Sequence, residues 1–396
     1  MADRPSMKDG LSELFRRTDS GGAVPDPTGA EAPVKGRPYV TTIKVVGIGG
    51  AGTNAVNRMV DSGVKGVEFI AVNTDVQQLE VCDADVKIHI GQEITHGLGG
   101  GADPDVGREA MEVSRDQLKA ALRGADLVFV TAGEGGGTGT GGAPVVAQVA
   151  RELGAVTIAI VTKPFGFEGN RRQRQALEGI DALRDVADTV ISIPNDRLLD
   201  VVERNASVVE AFAHADDILR QGVQGVTDLI TVPGLINLDF ADVRTIVHDA
   251  GTALLGIGVA GGENRAQAAA DMAINSPLLE TSIQGARGLL LNITGGEDLT
   301  LYEVNEAAGV ISDAADDDAN IIFGAVVDER LKGKISITVV ATGFGEEARR
   351  VQAPPRGEGP APAPRPEPRE EKGTPFGPAP RFDDFDIPSF VRQPEE

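Results

Sequence analysis

Tryptophan is absent from the 396 residues, tyrosine occurs twice and cysteine once. A lone Cys82 excludes an internal disulfide framework and reads as a small buried apolar residue. The four histidines, His89, His96, His214 and His248, are scattered and without ligand spacing, so no metal site is expected. No apolar run approaches the roughly 20 residues that cross a bilayer. The charged segment around Leu11–Arg17 is unlike a secretion signal. These absences predict a cytoplasmic protein with no direct membrane insertion. Positive charge is also short, at 37 bases against 60 acids, a net −23. Residues 1–40 and 346–380 each hold six acids and six bases, and 381–396 hold five and two, which leaves −20 on 41–345. Such a surface repels nucleic acid, so a phosphate ligand must sit in a local pocket of N–H groups, with a cation.

What the chain has in quantity is glycine, 50 residues of it. Seven of the twelve residues Thr131–Gly142 are glycine. They follow the apolar Leu127–Val130 and precede the helix-like Ala143–Ala150. Strand, glycine loop and helix in that order build a phosphate cradle. Glycines let backbone N–H groups crowd one surface, and the helix N-terminus adds partial positive charge. Thr138 and Thr140 add hydroxyls that can donate to phosphate oxygens. The alternative, a flexible linker, is at odds with the apolar segments on both sides.

Similar signals recur upstream. The strand Thr42–Ile48 runs into Gly47-x-Gly49-x-x-Gly52 and a helix to about Asp61. Val67–Val72 is a strand ending in Asn73-Thr74-Asp75. Gly97–Asp103 is a further glycine loop, with Asp103 as N-cap and Pro104 at N1 of a helix over 105–122. Ala155–Val161 and Asp188–Pro194 are strands. Strands of near-continuous apolar character alternating with helices predict an α/β protein with a Rossmann-like, doubly wound parallel sheet. The loops at 47–54, 73–75, 97–103 and 133–142 then converge on one nucleotide at its carboxyl edge. The first glycine triplet with Asp75 also fits an NAD(P)-dependent oxidoreductase. That alternative leaves the second and third loops unused and lacks a redox constellation.

Composition divides the chain. Residues 1–40 read as a disordered arm and 41–206 as the nucleotide-binding domain. Residues 207–232 form a long central helix of roughly 35 Å, opened by a Ser207/Glu210 capping box and carrying Val208, Phe212, Ala215, Leu219, Val223, Val226 and Ile230 on one stripe. Pro233-Gly234 stops it. Residues 233–345 hold four strands and two helices, a second, smaller α/β domain. Residues 346–380, with ten of the 23 prolines, read as a disordered linker. Residues 381–396 return to aromatic and apolar character in Phe382–Arg392.

Gly135-Gly-Gly-Thr-Gly-Thr-Gly141 resembles the tubulin signature, and 42–345 as a whole resembles the bacterial cell-division GTPases of the tubulin/FtsZ family. The likeness rests on Gly49–Asn57, Asn73–Asp75, Gly97–Gly99, Phe167–Arg172, Ile193–Asp196, Ala211–Asp216 and Asn237–Asp242. Thr53 stands where the family usually has glycine, and Val391 where leucine is usual. The resemblance implies a GTPase that binds GTP or GDP with Mg²⁺. Its phosphate contacts would be Gly50, Ala51 and Asn54, with Asn73, Gly99 and the run Gly135, Gly136, Gly137, Thr138, Gly139, Thr140 and Gly141. Glu168 and Arg172 would contact ribose and phosphate. Asn195, Phe212 and Asp216 would read guanine, whose N1 and N2 donors suit a carboxylate. Asp239 and Asp242, with Asn237 in the same 235–242 synergy loop, resemble the catalytic acids, although an aspartate there also suits a helix cap. Lying far from the phosphates, they would act on a neighbouring copy in a head-to-tail homopolymer, an open filament. The resemblance further implies a cytoplasmic division ring at mid-cell beneath the membrane. Phe382–Arg392 would dock membrane-tethering and regulatory division proteins.

Overall fold

The computed structural model describes residues 41–200, 206–232, 234–236 and 238–344. The expected N-terminal arm, the stop at Pro233, Asn237, the linker and the C-terminal peptide lie outside the described residues.

The first half alternates strand and helix, and its strands are apolar along their whole length. β1 (Ile43–Ile48) is buried at every position, as a strand covered on both faces must be. It leads into α1 (Gly49–Asp61), β2 (Val67–Asn73), the short α2 (Val76–Glu80), β3 (Val86–His89) and α3 (Gln92–Thr95). Then come α4 (Pro104–Val113), α5 (Arg115–Leu122), β4 (Leu127–Gly133), α6 (Thr138–Glu152), β5 (Val156–Lys163), α7 (Asn170–Val186) and β6 (Thr189–Pro194). The order across the sheet is β3-β2-β1-β4-β5-β6, all parallel. Strand order reverses between β1 and β4, and in such sheets the ligand crevice lies beyond their carboxyl ends.

The helix expected over 105–122 is two helices. Ser114, between α4 and α5, turns its hydroxyl back onto the Ala110 carbonyl at 3.1 Å. A serine that satisfies the preceding turn competes with the continuing backbone ladder. The Asp103 cap and Pro104 at N1 are as read, with the Asp103 carboxylate accepting the Asp105 N–H at 3.0 Å.

The central helix α8 (Val208–Thr231) carries the reciprocal Ser207/Glu210 capping box. After it come α9 (Phe240–Val247), β7 (Gly251–Gly261), α10 (Arg265–Ile274), β8 (Gly288–Gly295), α11 (Leu301–Ala314), β9 (Asn320–Val327) and β10 (Lys334–Thr342). Their strands do not form a separate sheet. β6 pairs in parallel with β7 through Thr189–Gly251, Val190–Thr252 and Ile191–Ala253, and the sheet continues as β7-β10-β8-β9. Among the described strands, only β10 runs antiparallel to both its neighbours.

Three apolar cores follow. One packs α4 to α7 on one face of the first half, through Met111, Leu118, Val146 and Leu183. Another packs α10 and α11 under the second half, through Ala269, Ala273, Val304 and Ile311. The third joins the halves, since Leu219, Val223, Val226 and Leu229 of α8 share it with Ile160 of β5, Leu255 of β7 and Leu290 of β8. α8 lies close because two of its contact residues are glycine. A Cβ on Gly222 would sit 3.0 Å from Leu255, and one on Gly225 2.6 Å from Thr338. Truncating a buried leucine of this helix costs about 2–5 kcal/mol.

Candidate nucleotide-binding site

A cavity of about 300 Å³ lies beyond the carboxyl ends of β1, β4, β5 and β6. Its floor is made by the starts of two helices. α1 begins at Gly49, whose φ of +66° suits only glycine. α6 begins at Thr138. Neither helix has a side-chain N-cap or an acidic residue in its first turn. Their first N–H groups are therefore left for a ligand, and the two helix dipoles add positive potential at one place. A Cβ on Gly49 would lie 3.0 Å from the Gly139 nitrogen, so the two loops meet backbone to backbone. Gly136 has open space where a side chain would be.

Of the residues expected at the phosphates, Gly50, Ala51, Gly136, Gly137, Thr138 and Gly139 line the cavity. Gly135, Thr140, Gly141, Asn54, Asn73 and Gly99 do not, and each has another task or position. The Thr140 hydroxyl accepts the Gly135 N–H at 2.8 Å and braces the loop from inside. A Cβ on Gly141 would lie 1.9 Å from the Pro104 carbonyl oxygen, and one on Gly107 2.2 Å from that of Gly137. These glycines let α4 and α6 touch through their backbones. Asn73 is buried and donates its amide to Gln78 Oε1 at 3.1 Å. Asn54 faces solvent. Gly99 belongs to the 97–103 loop, where a Cβ on Gly100 would lie 3.2 Å from Thr138 Oγ1. Thr138 Oγ1 itself pairs with Thr74 Oγ1 at 2.7 Å. Thr53 turns its hydroxyl back onto the Gly49 carbonyl at 2.9 Å.

The far wall suits a flat base with a ribose. Phe212 lines the cavity and meets Phe165 edge-on, with centroids 5.3 Å apart, while Phe167 stacks on Phe165 at 5.0 Å. Asn195 presents a buried Oδ1 without a protein partner. Asp216 is 8% exposed. Burial pushes its carboxyl up to about 6 despite Arg58 Nε at 3.3 Å. At the mouth Glu168 Oε2 accepts from Arg172 at 2.5 Å, and Glu168 Oε1 accepts the Phe165 N–H.

Asp239 and Asp242 do not line this cavity. Both are exposed, at the start of α9 and past the far end of α8, which at 24 residues is about 36 Å long. Asp239 is the α9 N-cap, so the segment read as a loop to Asp242 already turns helical at Phe240.

Two features escaped the sequence reading. Glu134, inside the glycine run, lines the cavity yet is 5% exposed, and neither carboxyl oxygen has a hydrogen-bond partner. His248, read as lacking ligand spacing, stands with Asp188 and Asp249, a group that could hold a metal ion among the described residues. Its atoms already satisfy one another. Asp188 Oδ1 takes His248 Nδ1 at 2.7 Å, and Asp249 Oδ1 pairs with Arg151 at 2.9 Å.

The first and third glycines of the fingerprint that suggested an oxidoreductase are packing positions, a use common to dinucleotide motifs and other nucleotide loops, and so they give that alternative no support of their own. A Cβ on Gly47 would lie 2.3 Å from the Gly52 oxygen, and one on Gly52 2.5 Å from that of Thr131. Both glycines serve the packing of α1 on the sheet.

A doubly wound sheet with two uncapped helix starts at its switch point and a base-sized wall beside them defines a nucleotide-binding domain. The chain belongs to the tubulin/FtsZ family. Residues 42–203 match the GTPase domain of the Tubulin/FtsZ family, which implies GTP and GDP binding, and residues 251–345 match the C-terminal domain of the FtsZ family. Among solved structures it is similar to FtsZ of M. jannaschii, determined as an empty dimer. The identity is 42%, the TM-score 0.75, and 86% of this chain and 94% of that one are covered. A mutant of that protein gives the same identity and score, with 96% of its chain covered. CetZ2 from Haloferax volcanii, a GTPgS-bound protofilament, shares the fold at 23% identity and a TM-score of 0.64, over 78% of this chain and 98% of that one.

Proposed function

We propose that the chain hydrolyses GTP and assembles head to tail into filaments, with the reaction completed by Asp239 and Asp242 of the adjacent copy. The observation that carries this reading is a cavity fitted for phosphates but without a free base. Of its carboxyl groups, Glu168 is paired with Arg172, Asp216 lies beside Arg58 on the base side, and Glu134 is buried with a carboxyl pushed up to about 8. Asp239 and Asp242 are exposed and borne at the opposite end of α8. A neighbour stacked in register along that axis would bring them to the open phosphate end, where they would orient and polarise water. The contact is heterologous and does not close. The dimeric state of the M. jannaschii relative supports self-association.

Gly50, Gly136, Gly137, Thr138 and Gly139 would hold the phosphates, with Arg172 near the ribose. Phe212, Asn195 and Asp216 would hold guanine. Mg²⁺ would enter with the triphosphate and neutralise charge as it develops. With no free carboxylate at the phosphate end of the cavity, its ligands would be phosphate oxygens and water, a set magnesium accepts. The filament would form the division ring in the cytoplasm at mid-cell, tethered through 381–396.

Phosphate release measured against protein concentration tests the shared site, with light scattering in GTP and then GDP. Turnover per subunit should rise with concentration, and scattering should appear with GTP. A turnover per subunit independent of concentration would exclude a site completed by a second copy. Binding of GTP compared with NAD separates this function from the oxidoreductase.

A further inference from the structure

Glu134 is the one charged residue in Thr131–Gly142. A carboxylate in a loop shaped for phosphates opposes the ligand, so its placement calls for a cause. The backbone there is pinned on both sides. The Glu134 N–H donates to the Thr162 carbonyl at 2.9 Å, extending the β4–β5 ladder. The Gly135 N–H, at a φ of +93°, is held by Thr140 Oγ1. The side chain between these anchors turns inward onto α7. There Gly179 leaves it room, since a Cβ at that position would lie 2.5 Å from Glu134 Oε2 and 2.5 Å from Thr140 Cγ2. Glycine is unfavourable inside a helix, and here it opens a slot that the carboxyl fills.

Among the described residues no charge answers it. α6 contributes the Thr140 hydroxyl, α7 contributes Gly179, and β5 contributes Thr162. The charged groups of the cavity, Glu168 with Arg172 and Asp216 with Arg58, are paired with each other. We propose that Glu134 is a positioning residue that holds the phosphate-binding loop in shape as a neutral carboxylic acid wedged against Gly179, and that its ionisation weakens nucleotide binding. Burial pushes its carboxyl up to about 8, and the neighbouring Thr140 hydroxyl, which makes no well-formed hydrogen bond to either oxygen, offsets only part of that. The acid is therefore neutral at neutral pH. A bound polyphosphate opposes ionisation further, because a second negative charge would stand beside the first. Ionised, the group is an unpaired buried charge and must leave its slot, and the loop it braces moves with it.

This inference rests on the reading of the cavity as a phosphate site. It is tested with the full chain and GDP as probe, by titration calorimetry between about pH 7 and pH 9, in wild type, Glu134→Gln and Glu134→Ala. Wild-type affinity should fall by about tenfold per pH unit above the carboxyl's titration. Glu134→Gln, neutral and of the same shape, should retain binding and lose that slope, which also cancels titration of the nucleotide itself. Glu134→Ala should bind more weakly at every pH, because the slot is empty. A slope in Glu134→Gln equal to that of wild type overturns the proposal, as does weaker binding by Glu134→Gln than by Glu134→Ala. Should wild type fail to bind GDP at all, the phosphate reading has failed. Thermal melting then decides on the wedge alone. Wild type should lose stability relative to Glu134→Gln as pH rises, and parallel melting curves overturn it.

Discussion

Asp239 Oδ1 accepts the backbone N–H of Asp242 at 2.9 Å. The two acids assigned to the reaction are thus also the cap and first-turn residue of α9, and structural and chemical roles must be separated by the choice of substitution. Asparagine caps about as well as aspartate, whereas alanine costs ~1 kcal/mol. Asp239→Asn is expected to melt as wild type, bind GTP as wild type, and lose turnover by about 10²–10⁴-fold, the usual contribution of a positioned acid or base. Asp239→Ala should show the same loss together with a lowered melting temperature. Phosphate release by Asp239→Asn at the wild-type rate would remove Asp239 from the mechanism.

Glycines that look alike in the sequence should respond in opposite ways. Gly141→Ala drives a methyl to 1.9 Å from the Pro104 carbonyl oxygen, backbone against backbone. It should destabilise by about 1–3 kcal/mol or more and weaken nucleotide binding, since the cradle is built on that contact. Gly309→Ala, on the exposed face of α11 with nothing within 4 Å, should stabilise by about 0.4–1 kcal/mol. Denaturant melts of both variants check the pair.

Guanine recognition should depend on pH through Asp216. Its carboxyl is raised to about 6 by burial, so it is protonated on the acid side of that value and loses acceptor capacity. Affinity for GDP is therefore expected to be about tenfold weaker near pH 5 than near pH 7, and Asp216→Asn should be weak and flat over the range. For folding the sign is reversed. A raised carboxyl contributes stability below its unfolded value near 3.8, and that contribution is lost as pH rises through about 6. Equal slopes in wild type and Asp216→Asn would mean that another group titrates.

Removing 381–396 should leave GTP turnover and filament formation intact while abolishing recruitment to membrane-anchored partners. Phe385, Ile387, Pro388 and Phe390 would dock in a partner's groove from a long tether. Sedimentation of filaments with and without tethered partners reads both outcomes. Loss of filaments on this deletion would contradict the assignment.

Much of the fold could be read because its signals are local. The strands of the parallel sheet are short apolar runs, the Ser207/Glu210 box opens α8, and Asp103-Pro104 opens α4. What could not be read depends on partners distant in the chain. The helix break at Ser114 is a choice of hydrogen-bond acceptor. The burial of Glu134 depends on a glycine 45 positions away on α7. The grouping of His248 with Asp188 needs the parallel pairing of β6 and β7. Within the glycine run, composition could not distinguish Gly136, which faces the open cavity, from Gly141, which faces a helix.

That last distinction bears on how such a site could be altered. An engineer retuning this pocket for another anion can vary Gly136, where an added side chain meets open space, while the scaffold stays still. Gly137 and Gly141 are interlocked with α4 and cannot change unless that helix is reseated. A pattern search that finds this glycine run locates a joint between two helices as well as a ligand.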